Sequence, residues 1–392
     1  MIDFLTTFSA LKSVYIDGSF SNIAINEAIE QHPGCQVGFV RTFTKGVIRD
    51  TLKLDHYVDQ LASKGLKGIK NRTLIVLRMG IYAIESLDSV PDYAAIDLTV
   101  GLAKKVCKGQ DKFVNGVLRS FTRQRSELDV ASTFPSELES LIREQYGDEA
   151  DSIMRALDTP APLVLRPNRL KVNQTEPIIS DGGQVISSDD FREGKFSVQS
   201  LSSIEAIEQL APAKGSRVLD MCAAPGGKSC AMAEIMENDG EIIACDIYEH
   251  RTQLIDAQAK RLGIDIIKTE LLDGTVHKSE WENQFDYVLA DVPCSGLGVI
   301  PSKPEIKLKA DVDSYTEIQD IQFKILMNAI SYVKPGGMVE YSTCTINKNE
   351  NQGVIDRALR ECKLVQILEN TSFLPYNNKI GFYYCILKKV VL

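Results

Sequence analysis

Residues 218–228 read VLDMCAAPGGK, and this stretch decides the fold class. An apolar run that ends in an acid and continues through glycines into a helix-forming segment is typical of a strand–loop–helix unit in a doubly wound sheet. Ligands bind beyond the carboxyl ends of such strands, where glycines let the backbone approach them. We therefore expect a ligand-binding loop, and its candidate residues are Cys222, Ala223, Ala224, Pro225, Gly226, Gly227 and Lys228.

The spacing of the glycines argues against two common phosphate-binding loops. Gly226 and Gly227 do not form Gly-x-Gly-x-x-Gly, which disfavours a dinucleotide-dependent dehydrogenase. Lys228 precedes Ser229, but the four-residue spacer between two glycines of a Walker loop is missing. The loop is therefore expected to hold a different ligand.

Short apolar runs alternate with helical segments on both sides of this loop, which predicts a mostly parallel sheet in an α/β domain. The expected strands cover residues 217–220, 241–246, 264–267, 287–290, 338–341 and 382–387.

Three acids follow successive expected strands, and each is a candidate cofactor contact: Asp246, Asp273 and Asp291. Asp246 comes 26 residues after Asp220, where a carboxylate reaches ribose hydroxyls in doubly wound sheets. Any one of these acids could instead cap a helix or a turn. Their agreement at successive strand ends favours a ligand with ribose, amine and sulfonium groups.

The nine cysteines include no Cys-x-x-Cys pair, and the chain has only four histidines, so we expect no metal site. Scattered thiols suit a reducing compartment, where most are small buried hydrophobes. Two cysteines depart from that pattern. Cys294 follows Asp291 in the sequence Asp-Val-Pro-Cys-Ser-Gly, and Cys344 ends Tyr-Ser-Thr-Cys, so both are expected at the edge of the sheet that holds the cofactor.

Methylation of cytosine at carbon 5 would use two such thiols. Carbon 5 is a poor nucleophile until a thiolate adds to carbon 6 and makes it enamine-like. An acid such as Asp291 could assist at ring nitrogen 3. The adduct must afterwards eliminate the enzyme, and a second thiol can aid that release.

Residues 1–128 are expected to form a helix bundle, because apolar residues recur at helical spacing, for example at Leu74, Leu77 and Ile81. Between Arg41 and Arg125 there are 16 Lys/Arg and 8 Asp/Glu, a local net charge of 16 − 8 = +8 in a chain of net charge −9. A basic segment on an acidic body indicates a face for phosphates, although solvated basic helices are also common. Residues 129–199 are expected to form a connecting subdomain with helices between 138 and 157 and a turn at 181–183.

No apolar run is long enough for a transmembrane helix, and Met1 to Phe4 do not begin a signal peptide. We therefore expect a cytoplasmic protein. Nothing in the sequence indicates an obligate oligomer, so a monomer is expected.

Taken together, the motifs resemble the RNA cytosine-5 methyltransferase family, and within it the bacterial RsmB (Sun or Fmu) type. Residues 222–228 match its cofactor loop, 291–296 its Pro-Cys motif and 342–344 its Thr-Cys motif. Residues 77–82, 90–95 and 113–119 resemble the NusB-like RNA-binding domain of that type.

The resemblance implies a class I, Rossmann-like methyltransferase domain (200–392) with a seven-stranded, mostly parallel sheet behind an all-α NusB-like domain. It implies S-adenosylmethionine as cofactor and one cytosine of 16S ribosomal RNA as substrate. It further implies that Cys344 is the nucleophile and that Cys294 aids release, and we add Asp291 and Lys228 as catalytic candidates.

Two other functions compete with this interpretation. A DNA cytosine methyltransferase would use the Pro-Cys thiol itself and would need a downstream Glu-Asn-Val motif, which the sequence lacks. An RNA-binding or antitermination protein with an inactive catalytic domain is disfavoured, because Cys344, Asp291 and the cofactor loop are all intact.

Overall fold

The computed structural model describes residues 1–180, 185 and 188–391. The chain divides into two compact units. The first unit comprises Met1–Ser140 together with Ser302–Ala310, and the second comprises Leu141–Pro301 together with Asp311–Leu392. The domain boundaries near 128 and 199 remain predictions from the sequence.

The first unit is helical. Its core includes the helix over Asn71–Ser86, where Leu77 and Ile81 are fully buried as their helical spacing predicts. Pro91 is the N-cap of the next helix, Asp92–Val106, and separates the two. The helices up to residue 124 are α1 (Ile2–Tyr15), α2 (Ser21–Gln31), α3 (Val37–Arg49), α4 (Thr51–Leu61), α5 (Asn71–Ser86), α6 (Asp92–Val106) and α7 (Asp111–Gln124).

The second unit contains two sheets in its described residues. The strands are β1 (Leu163–Pro167), β2 (Ile178–Ser180), β3 (Phe196–Val198), β4 (Arg217–Asp220), β5 (Glu241–Asp246), β6 (Ile267–Leu271), β7 (Phe285–Asp291), β8 (Val333–Thr343), β9 (Val365–Phe373) and β10 (Phe382–Lys389). A three-stranded antiparallel sheet has the order β2-β1-β3, and a seven-stranded sheet has the order β6-β5-β4-β7-β8-β10-β9.

Strands β4 to β8 pair in parallel, while β10 runs antiparallel to both β8 and β9. The predicted seven-stranded, mostly parallel sheet is thus confirmed. The remaining helices are α8 (Ser136–Tyr146), α9 (Ala150–Leu157), α10 (Asp189–Arg192), α11 (Leu201–Leu210), α12 (Gly227–Ile235), α13 (Glu249–Leu262), α14 (Glu305–Leu308, in the first unit), α15 (Tyr315–Tyr332) and α16 (Gln352–Glu361).

Two strand predictions differ from the structure. The third strand begins at Ile267 rather than at Ile264, because Ile264 packs into the core ahead of the strand. Strand β9 was not among the expected strands, since it is an edge strand with mostly exposed side chains and no apolar run.

The predicted helices between 138 and 157 are present as α8 and α9, and the turn expected at 181–183 lies outside the described residues. Among the described residues, no helix has the length and apolar character to cross a membrane.

A buried ion pair joins the small sheet to the helix that follows the cofactor loop. Arg166 of β1 is 6% exposed and donates to the carboxylate of Glu234 on α12, while its Nε donates to Gln199 at 2.6 Å. The side chain of Glu234 is fully buried. Removing one charge of such a pair leaves the other uncompensated in a low-dielectric interior.

We expect Glu234→Gln to lower the free energy of unfolding by about 3 kcal/mol, because Arg166 would remain buried without a counter-charge. Urea denaturation measures the effect. The matched control is Lys214→Gln, which breaks the exposed Lys214–Glu237 pair and should leave the unfolding midpoint unchanged. Equal effects of the two substitutions would contradict the structural role assigned to Glu234.

Candidate active site

The cofactor loop turns sharply between β4 and α12. Gly226 is the N-cap of α12 with φ of +100°, a conformation that side chains disfavour. A Cβ atom at this position would lie 3.2 Å from the Cα atom of Ile255 on α13. Glycine is therefore required here both for the backbone conformation and for the close approach to α13.

A cavity of about 160 Å³ lies beside this loop in the second unit. Its lining comes from the loop, from the ends of β3, β4 and β7, and from the start of α11. The lining residues are Val198, Gln199, Ser203, Asp220, Cys222, Ala223, Ala224, Pro225, Gly227, Lys228 and Asp291.

Asp220 at the end of β4 lines this cavity. Its Oδ2 accepts a hydrogen bond from Ser229 at 2.6 Å and the Cys222 amide also acts on the carboxylate, whereas the buried Oδ1 has no partner of good hydrogen-bond geometry among the described residues. Burial raises the pKa of Asp220 to about 7, and the nearby Asp291 adds to the rise. An amino or hydroxyl donor of a bound cofactor would satisfy this oxygen, so the site fits a ligand with such groups.

The other two strand-end acids take different positions. Asp246 is 3% exposed at the end of β5, where its carboxylate accepts from the Tyr248 amide at 3.2 Å and pairs with Arg251 at 3.3 Å. Asp273 accepts from both the amide and the hydroxyl of Thr275, which lowers the pKa of its carboxyl group. Asp273 therefore caps a turn and is not part of the cavity wall. The cofactor roles of both acids remain predictions.

Lys228 and Asp291 form an ion pair at the edge of the cavity. The Lys228 Nζ lies 2.6 Å from Asp291 Oδ2, and Ser342 donates to Asp291 Oδ1 at 3.0 Å. Burial alone would lower the pKa of Lys228, but the carboxylate of Asp291 outweighs it and the net pKa is raised. Lys228 therefore remains a cation that orients Asp291.

The structure brings the two cysteines of the motifs into contact. The Sγ atoms of Cys294 and Cys344 are 3.4 Å apart, although the residues are 50 positions apart in the chain. This contact with Cys344, together with burial, raises the pKa of the Cys294 thiol well above its usual value. A thiolate at Cys344 therefore favours the protonated form of Cys294, whose S–H group can donate to it.

Glu350, which the sequence reasoning missed, holds the two cysteine segments together. Its side chain is fully buried, and its carboxylate accepts from the amide of Ser295 at 2.8 Å and from Gln322 at 3.0 Å. Asn347 donates to the same carboxylate at 2.9 Å. Glu350 thus fixes the loop after Cys294 against the segment after Cys344. A glutamate in an Asn-rich segment gives no local signal of this role.

Asp220 was also missed as a site residue, although the rule that selected Asp246 and Asp291 applies to it, because it ends a strand next to the loop.

Cys222 is the third thiol near the cavity. Burial and the neighbouring carboxylates raise the pKa of Cys222 well above its usual value, so it stays protonated and is a poor nucleophile. Among the described residues, no group of three His, Cys, Asp or Glu side chains is placed to hold a metal ion.

Comparison with known proteins assigns the family. The family model described as 16S rRNA methyltransferase RsmB/F matches residues 207–388, and the NusB family model matches residues 5–123. A probable ribosomal RNA small subunit methyltransferase B of Bacillus subtilis is 33% identical over 379 residues, which cover 88% of this chain and 85% of that protein. The ribosomal RNA small subunit methyltransferase B of Escherichia coli O1:K1 is 31% identical and covers 88% of both chains.

This chain belongs to the RsmB family. It is therefore a methyltransferase that uses S-adenosylmethionine, and its first unit contains a NusB-like domain. The crystal structure of PH0851 shares the fold of this RsmB-family member, with a TM-score of 0.85 over 99% of this chain and 98% of that one at 24% identity.

The contact between the two thiols is directly testable without substrate. We expect a mild thiol oxidant to join Cys294 and Cys344 in a disulfide, because their sulfur atoms already touch. Mass spectrometry of the digested protein should find the crosslinked peptide pair. Cys362→Ser removes another half-buried thiol of the same unit and should leave the crosslink in place. A different preferred pair would contradict the geometry.

Proposed function

We propose that this protein transfers a methyl group from S-adenosylmethionine to carbon 5 of a cytosine in 16S ribosomal RNA, in the cytoplasm, through a covalent adduct with Cys344. The observation that carries the proposal is the 3.4 Å contact between the sulfurs of Cys294 and Cys344 beside the Lys228–Asp291 pair. Two relatives described above are named as ribosomal RNA small subunit methyltransferases, which supports the choice of RNA.

Cys344 supplies the nucleophile. Its thiolate adds to carbon 6 of the ring, which forms a carbon–sulfur bond and moves an electron pair toward ring nitrogen 3. Nitrogen 3 takes up a proton from solvent, and the carboxylate of Asp291, oriented by Lys228 and Ser342, accepts a hydrogen bond from the resulting N–H. S-adenosylmethionine bound along the cofactor loop supplies the methyl group to the activated carbon 5.

Cys294 acts after the methyl group has arrived. Water accepts the proton from carbon 5, the electron pair that is released re-forms the double bond between carbons 5 and 6 and expels Cys344 as a thiolate, and the proton on nitrogen 3 returns to solvent. Cys294 keeps its proton because its pKa is raised, and it can hydrogen-bond to the departing sulfur. It therefore aids release of the product without competing for carbon 6.

Substitution of each cysteine separates these roles. We expect Cys344→Ala to abolish transfer of labelled methyl groups to small-subunit rRNA. Cys294→Ala should instead retain the first steps and accumulate a covalent protein–RNA adduct that survives denaturing electrophoresis, because release is impaired. The control is Cys362→Ala, a half-buried thiol at the end of α16 and outside both cysteine motifs, which should form no persistent adduct. An adduct with Cys344→Ala rather than Cys294→Ala would reverse the assignment.

The first unit offers a basic surface for the RNA backbone. A cavity of about 410 Å³ lies between the start of α5 and the end of α6, and Lys70, Arg72 and Lys108 are exposed around it. These cations lie near the positive end of the α5 dipole, which adds to the attraction for phosphate. We propose that this surface contacts the RNA and contributes the salt-dependent part of binding.

We expect the triple variant Lys70→Gln, Arg72→Gln and Lys108→Gln to weaken rRNA binding and to flatten its dependence on salt by up to about 2 in the log–log slope. Filter binding across a salt series measures both. The control variant neutralises three exposed lysines of the second unit, Lys214, Lys268 and Lys363, and changes the net charge by the same amount. Equal losses in both variants would show that net charge, and not this surface, determines the affinity.

A further inference from the structure

A fully buried glutamate that the proposed chemistry does not use lies behind the Lys228–Asp291 pair. Glu340 is in the middle of β8, where it pairs with Leu289 of β7 and Ile386 of β10, and none of its surface is exposed. Residues two apart in a strand point to the same face of a sheet. Glu340 therefore shares a face with Ser342, the residue that donates to Asp291.

The charges around Glu340 do not balance. Glu340 interacts electrostatically with two carboxyl groups, those of Asp291 on β7 and Asp220 on β4. It also interacts with one ammonium group, that of Lys228 on α12. The same ammonium already donates to Asp291 at 2.6 Å. If all four groups were ionised, the buried set would carry a net charge of −2.

Glu340 also lacks strong hydrogen-bond donors. Neither of its carboxylate oxygens has a partner with good hydrogen-bond geometry among the described residues, and the Ser342 hydroxyl exerts only a small effect on it. An isolated carboxylate in such surroundings is costly, and the group takes up a proton instead. A glutamate with its own cation would have no such need.

We propose that Glu340 is a positioning residue for methyl transfer, whose carboxyl group holds a proton inside the buried set and so leaves the ammonium of Lys228 to Asp291. This role rests on the proposed function for the part that Asp291 plays. When Glu340 loses the proton to solvent, its carboxylate competes with Asp291 for the same ammonium. Asp291 then loses the contact that orients it toward the base.

The electrostatics favour this assignment near neutral pH. Burial raises the pKa of Glu340 to about 8, and the ammonium of Lys228 only partly offsets the rise. Burial also raises the pKa of Asp220 to about 7, so Asp220 is the other group in the set that titrates nearby. The two contributions must be separated by substitution.

The first test compares rates of single-turnover methyl transfer across pH, each variant normalised to its own plateau. One pH unit above the ionisation of Glu340, we expect the wild-type rate to lie about tenfold below its plateau when divided by the rate of Glu340→Gln, a ratio that cancels the ionisation of Cys344 common to both proteins. In Glu340→Gln, which stays neutral, this fall should be absent, and Glu340→Val should behave likewise. Glu361→Gln, at an exposed position on α16, is the control that should keep the wild-type profile. An unchanged alkaline fall in Glu340→Gln would overturn the proposal.

The second test needs no activity. Between about pH 5 and pH 8 the unfolded chain ionises Glu340 while the folded protein holds the proton, so the wild type loses stability as pH rises and the loss ends near the folded pKa. The melting temperature of Glu340→Gln relative to wild type should therefore rise through this window, by on the order of 5 °C. The same melting temperatures, measured with Asp220→Asn added to the wild type and to Glu340→Gln, separate the contribution of Asp220.

The two tests distinguish the possible failures. A melting-temperature difference that is independent of pH would show that Glu340 holds no proton and would overturn the proposal. A pH-dependent difference with an unchanged rate profile would overturn the positioning role. If the wild type transferred no methyl group to any cytosine, the proposed function would fail, and the stability comparison would still decide whether Glu340 holds the proton.

Discussion

Parallel pairing of β4, β7 and β8 is the constraint on which the site depends. Because these strands run in one direction, their carboxyl ends meet at one edge of the sheet. Asp220, Asp291 and Cys344 lie at that edge, although more than a hundred residues of the chain separate Asp220 from Cys344. The loops after β7 and β8 then bring Cys294 and Cys344 into contact, and hydrogen bonds to Glu350 hold these loops together. A shift of register in this part of the sheet would separate the thiols.

The same arrangement concentrates charge in a place that is poor in water. Lys228 and Asp291 neutralise each other, but Asp220 and Glu340 have no cation of their own. Buried polar groups without partners cost stability, and they are tolerated where they serve a ligand or a reaction. For Asp220 a ligand in the cavity would be such a partner, since Asp220 lines the cavity and its Oδ1 lacks a well-aligned donor among the described residues. For Glu340, burial beside two other carboxyl groups favours the neutral acid.

Much of the fold and of the candidate site could be predicted from the sequence, because the cofactor loop and the two cysteine motifs are local patterns at strand ends. The helical unit followed from periodicity in the same way, as Leu77 and Ile81 show. What could not be predicted depends on which strands are neighbours. The burial of Glu340 requires the pairing of β8 with β7 and β10. The hydrogen bond from the Ser295 amide to Glu350 joins segments that are 55 residues apart. Likewise, the Ser302–Ala310 segment follows the Pro-Cys motif in sequence and belongs to the helical unit, where Glu305 accepts from the Ser21 amide at 2.9 Å. No pattern in either segment indicates that partner.

The central claim is that Cys344 bonds covalently to cytosine, and rRNA containing 5-fluorocytosine tests it most directly. After methyl transfer, carbon 5 would carry fluorine in place of the hydrogen that must leave, so the ring could not expel the enzyme. With S-adenosylmethionine present, we expect a stable adduct in which tandem mass spectrometry finds the modified nucleotide on the peptide containing Cys344. A nucleotide on the Cys294 peptide, or no adduct at all on RNA that the enzyme methylates in its unmodified form, would contradict it.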